Sequence, residues 1–382
     1  MKRILAGLTA LSAAFAAQAQ AASDLPVEGG YKMLPAASAL AEQVHFFHNG
    51  VLMPIITVIS LVILGLLIWV VLRYNSKANP TPRKFSHNTM IEVVWTAVPI
   101  IILLFIALFS FDLLYSEDVV PDGKQVAARG DGATTEFSIA NDFPASRMAT
   151  RPDHVQVFVN GAALKRGQDY TLDGLGDATV NVTMASAPAP GAQVVLRAGR
   201  SSVNASDCPA MNRLLGNCPV HIALAPTMTL KVIGFQWGWT YSYPDFGDFE
   251  FTANMVEEDL TKPGKRYEVD NPIYVPVGET VRVVATARDV IHAWALPNMA
   301  LKIDAVPGRI NEIWFEAERE GVFHGQCSEI CGVRHAFMPI AVHVVSRPEF
   351  EAWVDSQREL AGMAPMFGDQ STDKFAQAAT EE

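Results

Sequence analysis

The chain has 382 residues, half of them apolar, and only 18% are charged. Soluble domains run nearer a quarter charged, so part of this chain is built for lipid rather than water. Its 40 acids against 29 bases leave a formal charge of −11, which argues against nucleic acid or an anionic membrane surface as main partner and suits a cationic one. The length has room for two or three domains. Four cysteines are too few for a disulfide scaffold, so their spacing matters more than their number.

Residues 1–21 are expected to be a secretory signal peptide. They carry a basic tip (Lys2, Arg3), a short apolar stretch, and small residues at Ala17, Ala19 and Ala21 that suit an A-x-A cleavage site. An uncleaved amphipathic anchor is the alternative. Export places the chain beyond it in a compartment that permits disulfides. Residues 22–120 then hold two apolar runs. The first, 51–72, has no charge and is long enough to cross a bilayer of ~30 Å, and the second, 93–114, contains only Asp112. The loop between them carries Arg73, Lys77, Arg83 and Lys84 and no acid, so the positive-inside rule puts it in the cytoplasm and both flanks of the hairpin outside. Two buried core helices are the alternative, which runs so free of charge oppose. Glu92 stands where the second span leaves the loop. It reads as an interfacial acid reaching water, or as a feed to a proton path if a partner supplies the rest.

Beyond residue 120 the periodicity turns from helical to alternating. Residues 121–225 form an expected small β module, with short alternating runs at 154–158, 179–183 and 193–197 and an Asn160-Gly161 hairpin turn. No clustered His, paired acids or phosphate loop gives it a chemistry. Cys208 and Cys218 close the module ten positions apart. A local disulfide is the favoured reading, constraining the unfolded chain by on the order of 3 kcal/mol, and a metal site is the disfavoured one. Residues 226–346 form a second β region, with strands expected at 227–233, 272–277, 280–286, 309–315 and 339–345, a spacing that indicates a sandwich or Greek-key barrel. A short helix over 348–360 and a loose tail complete residues 347–382.

The chemistry lies in Gly325-Gln-Cys-Ser-Glu-Ile-Cys-Gly-Val-Arg-His-Ala-Phe-Met-Pro339. It places Cys327, Cys331, His335 and Met338 within one loop. Two thiolates, an imidazole and a thioether are soft or borderline donors that favour copper over magnesium, calcium or manganese, and methionine is a poor zinc ligand. A Cys327–Cys331 disulfide is the alternative, and it leaves His335 and Met338 without a role. Two thiolates from one loop suit a pair of copper ions bridged by both sulfurs. A second histidine must then come from elsewhere, and Asp289-Val-Ile-His292-Ala-Trp supplies it from a loop after a strand. Such a pair would share one electron, which suits electron transfer rather than bond-making.

With these motifs in place the sequence resembles subunit II of the haem–copper cytochrome c oxidases, over about residues 40–120 and 226–350. The resemblance implies a two-helix transmembrane hairpin followed by an all-β cupredoxin-like Greek-key sandwich carrying a dinuclear copper (CuA) centre, with the 121–225 module as an insertion. It implies copper ligands His292, Cys327, Glu329 through its backbone carbonyl, Cys331, His335 and Met338, with the Glu329 side chain reaching a magnesium ion shared with subunit I. It also implies Trp237 as the residue through which electrons arrive, Glu92 at the mouth of a proton pathway, Arg309 near the subunit I face, and Asp248, Asp270 and Asp289 as acids that dock cytochrome c. The implied function is the electron-input subunit of a proton-pumping oxidase of a bacterial inner membrane, partnered by subunits I and III and by membrane lipid, with the copper domain periplasmic. A copper-free quinol oxidase subunit predicts loss of the ligands, a nitrous oxide reductase domain would lack the hairpin, and a transient copper carrier would not need a full ligand set. Three positions depart from the family pattern: Gly238 where Tyr is common, Phe235 where His is frequent, and Ser242 where an acid often stands.

Overall fold

A computed structural model describes residues 24–26, 30–81, 87–121, 123–141, 149, 152–160, 162–198, 224–257 and 264–368. The expected signal peptide and the Cys208–Cys218 pair lie outside the described residues. The chain first forms α1 (Ala39–Phe46), passes through a π-helical turn at Phe47–Leu52 and continues as α2 (Met53–Arg73). Ser38 caps α1, its hydroxyl oxygen accepting from the Ala41 amide at 3.1 Å. The second long helix, α3 (Thr89–Asp118), has a reciprocal cap: Asn88 accepts from the Ile91 amide at 3.2 Å, and Glu92 accepts from the Asn88 amide at 3.3 Å. Both rods are long and apolar enough to cross a membrane. Leu61, Leu67 and Leu104 among their leucines are more than half exposed, an arrangement suited to hydrocarbon and not to water. The helices overrun the apolar runs because Ala39–Phe46 and the polar Ser116-Glu117-Asp118 end continue the same hydrogen-bond ladder.

Next comes a small sandwich of β1 (Lys124–Arg129), β2 (Glu136–Ala140), β3 (Val155–Val159), β4 (Ala162–Ala163), β5 (Tyr170–Asp173), β6 (Thr179–Met184) and β7 (Gln193–Ala198). One sheet runs β1-β7-β3-β4 and the other β2-β6-β5. Strict alternation in β6 sends Val180, Val182 and Met184 inward, where they meet Val157, Val194 and Leu196. Asn160 takes φ 49° at the β3–β4 turn, as the Asn-Gly pair predicts. The chain enters and leaves this sandwich side by side: Gly123 bridges Leu224, and the Ala225 amide donates to the Gly123 carbonyl at 2.9 Å.

The C-terminal barrel is built from β8 (Met228–Phe235), β9 (Gly238–Tyr243), β10 (Phe249–Ala253), β11 (Ile273–Pro276), β12 (Thr280–Ala287), β13 (His292–Leu296), β14 (Leu301–Ala305), β15 (Asn311–Glu316), β16 (Gly321–Gln326) and β17 (Pro339–Val345). Its sheets run β10-β9-β8-β12-β15, β11-β17-β16 and β13-β14, with β8/β12 and β11/β17 parallel. Pairing between strands distant in sequence is what a Greek key requires. The expected strands at 272–277, 280–286 and 339–345 are present, the one at 227–233 runs on to Phe235, and the one expected from 309 starts at Asn311. Five strands were not expected: β9 and β13 are buried on both faces, so their apolar and small residues run continuously, whereas β14 (Leu301-Lys302-Ile303-Asp304-Ala305) does alternate and was missed along with β10 and β16. His292, expected in a loop, is the first residue of β13 and pairs with Ala305.

Helix α4 (Arg347–Leu360) closes the base of the barrel, where Trp353 stacks on Tyr274 at 4.9 Å and meets Tyr243 edge-on at 5.1 Å. At the membrane side both rods are fastened to the barrel. The Trp314 indole donates to the Ser116 carbonyl at 3.0 Å at the end of α3. Before α1, the Ala37 amide donates to the Asn298 carbonyl at 2.8 Å, the Glu318 amide to the Ala37 carbonyl at 2.9 Å, and the Ser38 hydroxyl to the Met299 carbonyl at 3.1 Å. Arg319 pairs with Asp24 at the start of the described chain.

Candidate metal centre

Two loops at one end of the barrel meet at a single buried point. β16 ends at Gln326, and the turn from Cys327 to Met338 returns the chain into β17. The Ser328 amide donates to the Ala293 carbonyl at 3.0 Å, tying this turn to β13 beside His292. Close approach demands a glycine in β16: a Cβ on Gly325 would stand 1.8 Å from the Ala295 carbonyl oxygen. Another seats the histidine, since a Cβ on Gly234 would lie 2.8 Å from the His292 ring. Trp239 borders the same ring edge-on at 5.9 Å and donates its indole N–H to the Met338 carbonyl at 3.3 Å.

The donors expected from the sequence converge. The Cys327 and Cys331 sulfurs stand 3.9 Å apart and are not bonded to each other. His292 Nδ1 is 3.9 Å from Cys327 Sγ, His335 Nδ1 is 3.6 Å from Cys331 Sγ, and Met338 Sδ is 3.4 Å from Cys331 Sγ. The Glu329 carbonyl oxygen accepts from the Cys327 thiol at 3.3 Å, while its side chain is exposed. His292, Cys327, Cys331 and Met338 are buried and His335 is half-buried.

Electrostatics separate the two thiols. Burial raises Cys327, but its bonds with His292 and with the Ala293 and Glu329 backbone outweigh that and bring it down to about 7. Cys331 is pushed up to about 12 by burial and by its neighbour Cys327. For His292, burial works to lower the pKa, and the contacts with Cys327 and Asp289 overcome it, leaving the imidazole above its ordinary value. A buried pair of thiols that cannot both ionise alone, ringed by two imidazoles and a thioether, is a donor set completed by a soft cation. Sulfurs 3.9 Å apart also leave room for metal–thiolate bonds of ~2.3 Å. The residues present therefore fit a copper centre.

The remaining expected residues divide in two. Trp237 packs over the centre, its indole N–H donating to the Cys331 carbonyl at 3.3 Å, and Asp289 accepts from His292 Nε2 at 3.0 Å. Asp248 and Asp270 are tied elsewhere: Asp248 pairs with Lys231 at 3.0 Å and accepts from Ser242 at 3.0 Å, and Asp270 accepts from the Asn254 amide at 2.8 Å. Lys231 and Ser242 together hold Asp248 below the ordinary carboxylate range. Arg309 lies in an exposed turn beside Ile310, and Glu92 caps α3. Sequence reasoning missed Gln236, whose side-chain amide donates to the Cys331 carbonyl at 2.7 Å. Its place directly before Trp237 was the available signal.

The family model described as cytochrome C oxidase subunit II, periplasmic domain, matches residues 228–345, and the one described as its transmembrane domain matches residues 26–113. The chain is 32% identical over 343 residues to a protein named probable cytochrome c oxidase subunit 2 from Rickettsia bellii, covering 89% of this chain and 88% of that one. It is 29% identical to cytochrome c oxidase subunit 2 of Cereibacter sphaeroides, covering 94% and 92%. Among solved structures, the periplasmic domain of subunit II of cytochrome oxidase from Bradyrhizobium japonicum is 50% identical, covering 35% of this chain and 96% of that one, with a TM-score of 0.34.

Proposed function

Since the chain belongs to the cytochrome c oxidase subunit II family, with two membrane spans and the family's copper-bearing β domain, we propose that it is the electron-input subunit of a proton-pumping cytochrome c oxidase. In that role it takes electrons from cytochrome c and delivers them to haem in subunit I, where oxygen is reduced to water. The observation that carries this reading is the convergence of His292, Cys327, Cys331, His335 and Met338 with the Glu329 carbonyl at one buried point. These residues would hold the dinuclear copper. When bound, that group supplies a one-electron carrier. The chain's part is to keep the donors fixed on β13 and the β16–β17 turn and to shut water out, as the burial of both thiols supports.

Trp237 is the residue we assign to receiving electrons from the donor, because its indole is partly exposed and bonded to the Cys331 carbonyl. Asp248, Asp270 and Asp289 are assigned to steering a basic cytochrome c toward it. The exposed Glu329 carboxylate would reach a magnesium ion shared with subunit I, since hard cations take carboxylate oxygens. Glu92, at the loop end of α3, would stand at the mouth of a proton pathway completed by subunit I. The loop bases Arg73, Lys77, Arg83 and Lys84 favour a cytoplasmic loop and a periplasmic copper domain in a bacterial inner membrane, with a cleaved signal peptide, a Cys208–Cys218 disulfide and contacts to subunit III and lipid.

The test is electron paramagnetic resonance of the copper-loaded chain in detergent. An electron shared by two copper nuclei supports the reading, and a single-copper pattern or no copper uptake refutes it. Trp237→Ala is expected to slow reduction by cytochrome c at least tenfold while leaving that spectrum intact, as measured by stopped-flow absorbance. Unaltered electron arrival would remove Trp237 from the role.

A further inference from the structure

Two side chains outside the donor set connect everything that surrounds it. Asp289 accepts three hydrogen bonds: from the Gln236 amide at 2.7 Å, from its neighbour's amide, Val290, at 2.7 Å, and from His292 Nε2 at 3.0 Å. Gln236 in turn donates its side-chain amide to the Cys331 carbonyl at 2.7 Å, the same oxygen that takes the Trp237 indole N–H. The path His292–Asp289–Gln236–Cys331 thus links the strand that carries the first histidine, the turn between β8 and β9, and the thiolate turn.

Each bond has a directional consequence. Engaging Nε2 leaves Nδ1 as the nitrogen that faces Cys327, and the bond at one ring nitrogen sets which other nitrogen is free to bind a metal. Asp289 lies three positions before its histidine, and the amide of the next residue, Val290, helps hold the carboxylate in place. Gln236 uses backbone and side chain at once, so it cannot move without releasing either Asp289 or Cys331. Trp237 inherits its position from the same residue.

We propose that Asp289 and Gln236 form a latch that orients His292 toward the thiolates and presses Trp237 onto the Cys331 backbone. Both are positioning residues, and neither is a copper ligand. The inference rests on the copper reading above and adds to it that the electron-receiving tryptophan and the two ligand loops are set as one mechanical unit. Carboxylates that support metal-bound histidines typically govern ~10–100-fold in metal retention.

The test uses the intact oxidase complex carrying this chain, with Asp289→Ala, Asp289→Asn and Gln236→Ala. Copper loss to an added chelator is followed with time, together with the paramagnetic resonance spectrum and the haem content as a check of assembly. Asp289→Ala is expected to release copper ~10–100-fold faster and to change the copper hyperfine pattern. Asp289→Asn keeps an oxygen for His292 and is expected to restore most of the retention. Gln236→Ala is expected to keep the spectrum and slow reduction by cytochrome c about tenfold. Copper release, spectra and reduction rates within twofold of the parent in both alanine variants would overturn the latch. Should an alanine variant fail to assemble haem, Gln236→Asn decides, since its amide is one methylene too short to reach the Cys331 carbonyl: a parent spectrum with reduction by cytochrome c about tenfold slower supports the latch, and a parent-like rate overturns it. A parent complex without a copper signal would refute the copper reading itself, which separates the two failures.

Discussion

Single atoms decide the centre. Gly325 permits β16 to lie against β13, and Gly325→Ala places a methyl 1.8 Å from the Ala295 carbonyl oxygen. The backbone must part there, at a cost of about 1–3 kcal/mol together with displacement of Cys327 two residues on. A lowered unfolding midpoint and reduced copper content of the purified chain are the expected readings, and a variant with parent midpoint and copper would contradict them. A Cβ on Gly238 would lie 2.7 Å from the tip of the Phe235 ring, 2.8 Å from Asn254 Oδ1 and 3.0 Å from the Ala253 carbonyl oxygen, so the position has no room for a side chain beside that ring. Ser242, where an acid is common, instead donates to Asp248, keeping a carboxylate at that surface from a different position. The ligands themselves were legible in sequence because soft donors at tight spacing have few other uses. Gln236 was not, because an amide side chain has no characteristic chemistry until its partner is known.

Strands and helices carry the next layer of consequences. His324 on β16 and His343 on β17 sit half-buried on the same sheet, with the Tyr267 ring 6.2 Å from His324 and the Tyr274 ring 4.7 Å from His343. Burial pushes both imidazoles below the ordinary value. Glu268 and Asp24 pull His324 partly back up, and His324 itself pushes His343 down. An unfolded chain takes up these protons near pH 6.5 and the folded barrel only at lower pH. Stability is therefore complete above that value and falls as the pH drops through it toward the folded-state values. The unfolding temperature is expected to decline between about pH 7 and pH 5, and His324→Gln should flatten the decline; a parent with a level profile would contradict this. Helix α4 contributes through Trp353, which is 5% exposed among Tyr243, Phe249, Phe251, Tyr274 and Phe350. Trp353→Ala should cost about 3–5 kcal/mol by denaturant unfolding, and a loss under 1 kcal/mol would show that the helix is dispensable to the barrel. This helix was expected from the sequence over 348–360, and strands such as β8 and β12 were legible through the alternation of their two faces. β9 and β13 were hidden because burial of both faces erases alternation, which is also why His292 was expected in a loop.

At the scale of the molecule, two rods, a small sandwich and a barrel are joined by few but specific contacts. The barrel is held at both membrane-side corners, through Trp314 to Ser116 and through Asn298, Met299 and Glu318 to residues 37 and 38. None of this was readable from composition, since each link is a backbone carbonyl or amide meeting a residue far away in sequence. The hairpin and the ligand loops were readable because hydrophobic length and donor spacing are local properties. The small sandwich leaves through the residue beside which it entered, Gly123 against Leu224, and it buries its own core. Replacing residues 124–223 by a few glycines is expected to leave haem assembly and the copper spectrum unchanged, because closing so short a gap costs little entropy. Loss of either from the shortened chain would mean that the sandwich is structurally required. Neighbouring attachment points make the sandwich a graft on the barrel: with a core of its own, its surface can change without moving the two loops that carry the donors.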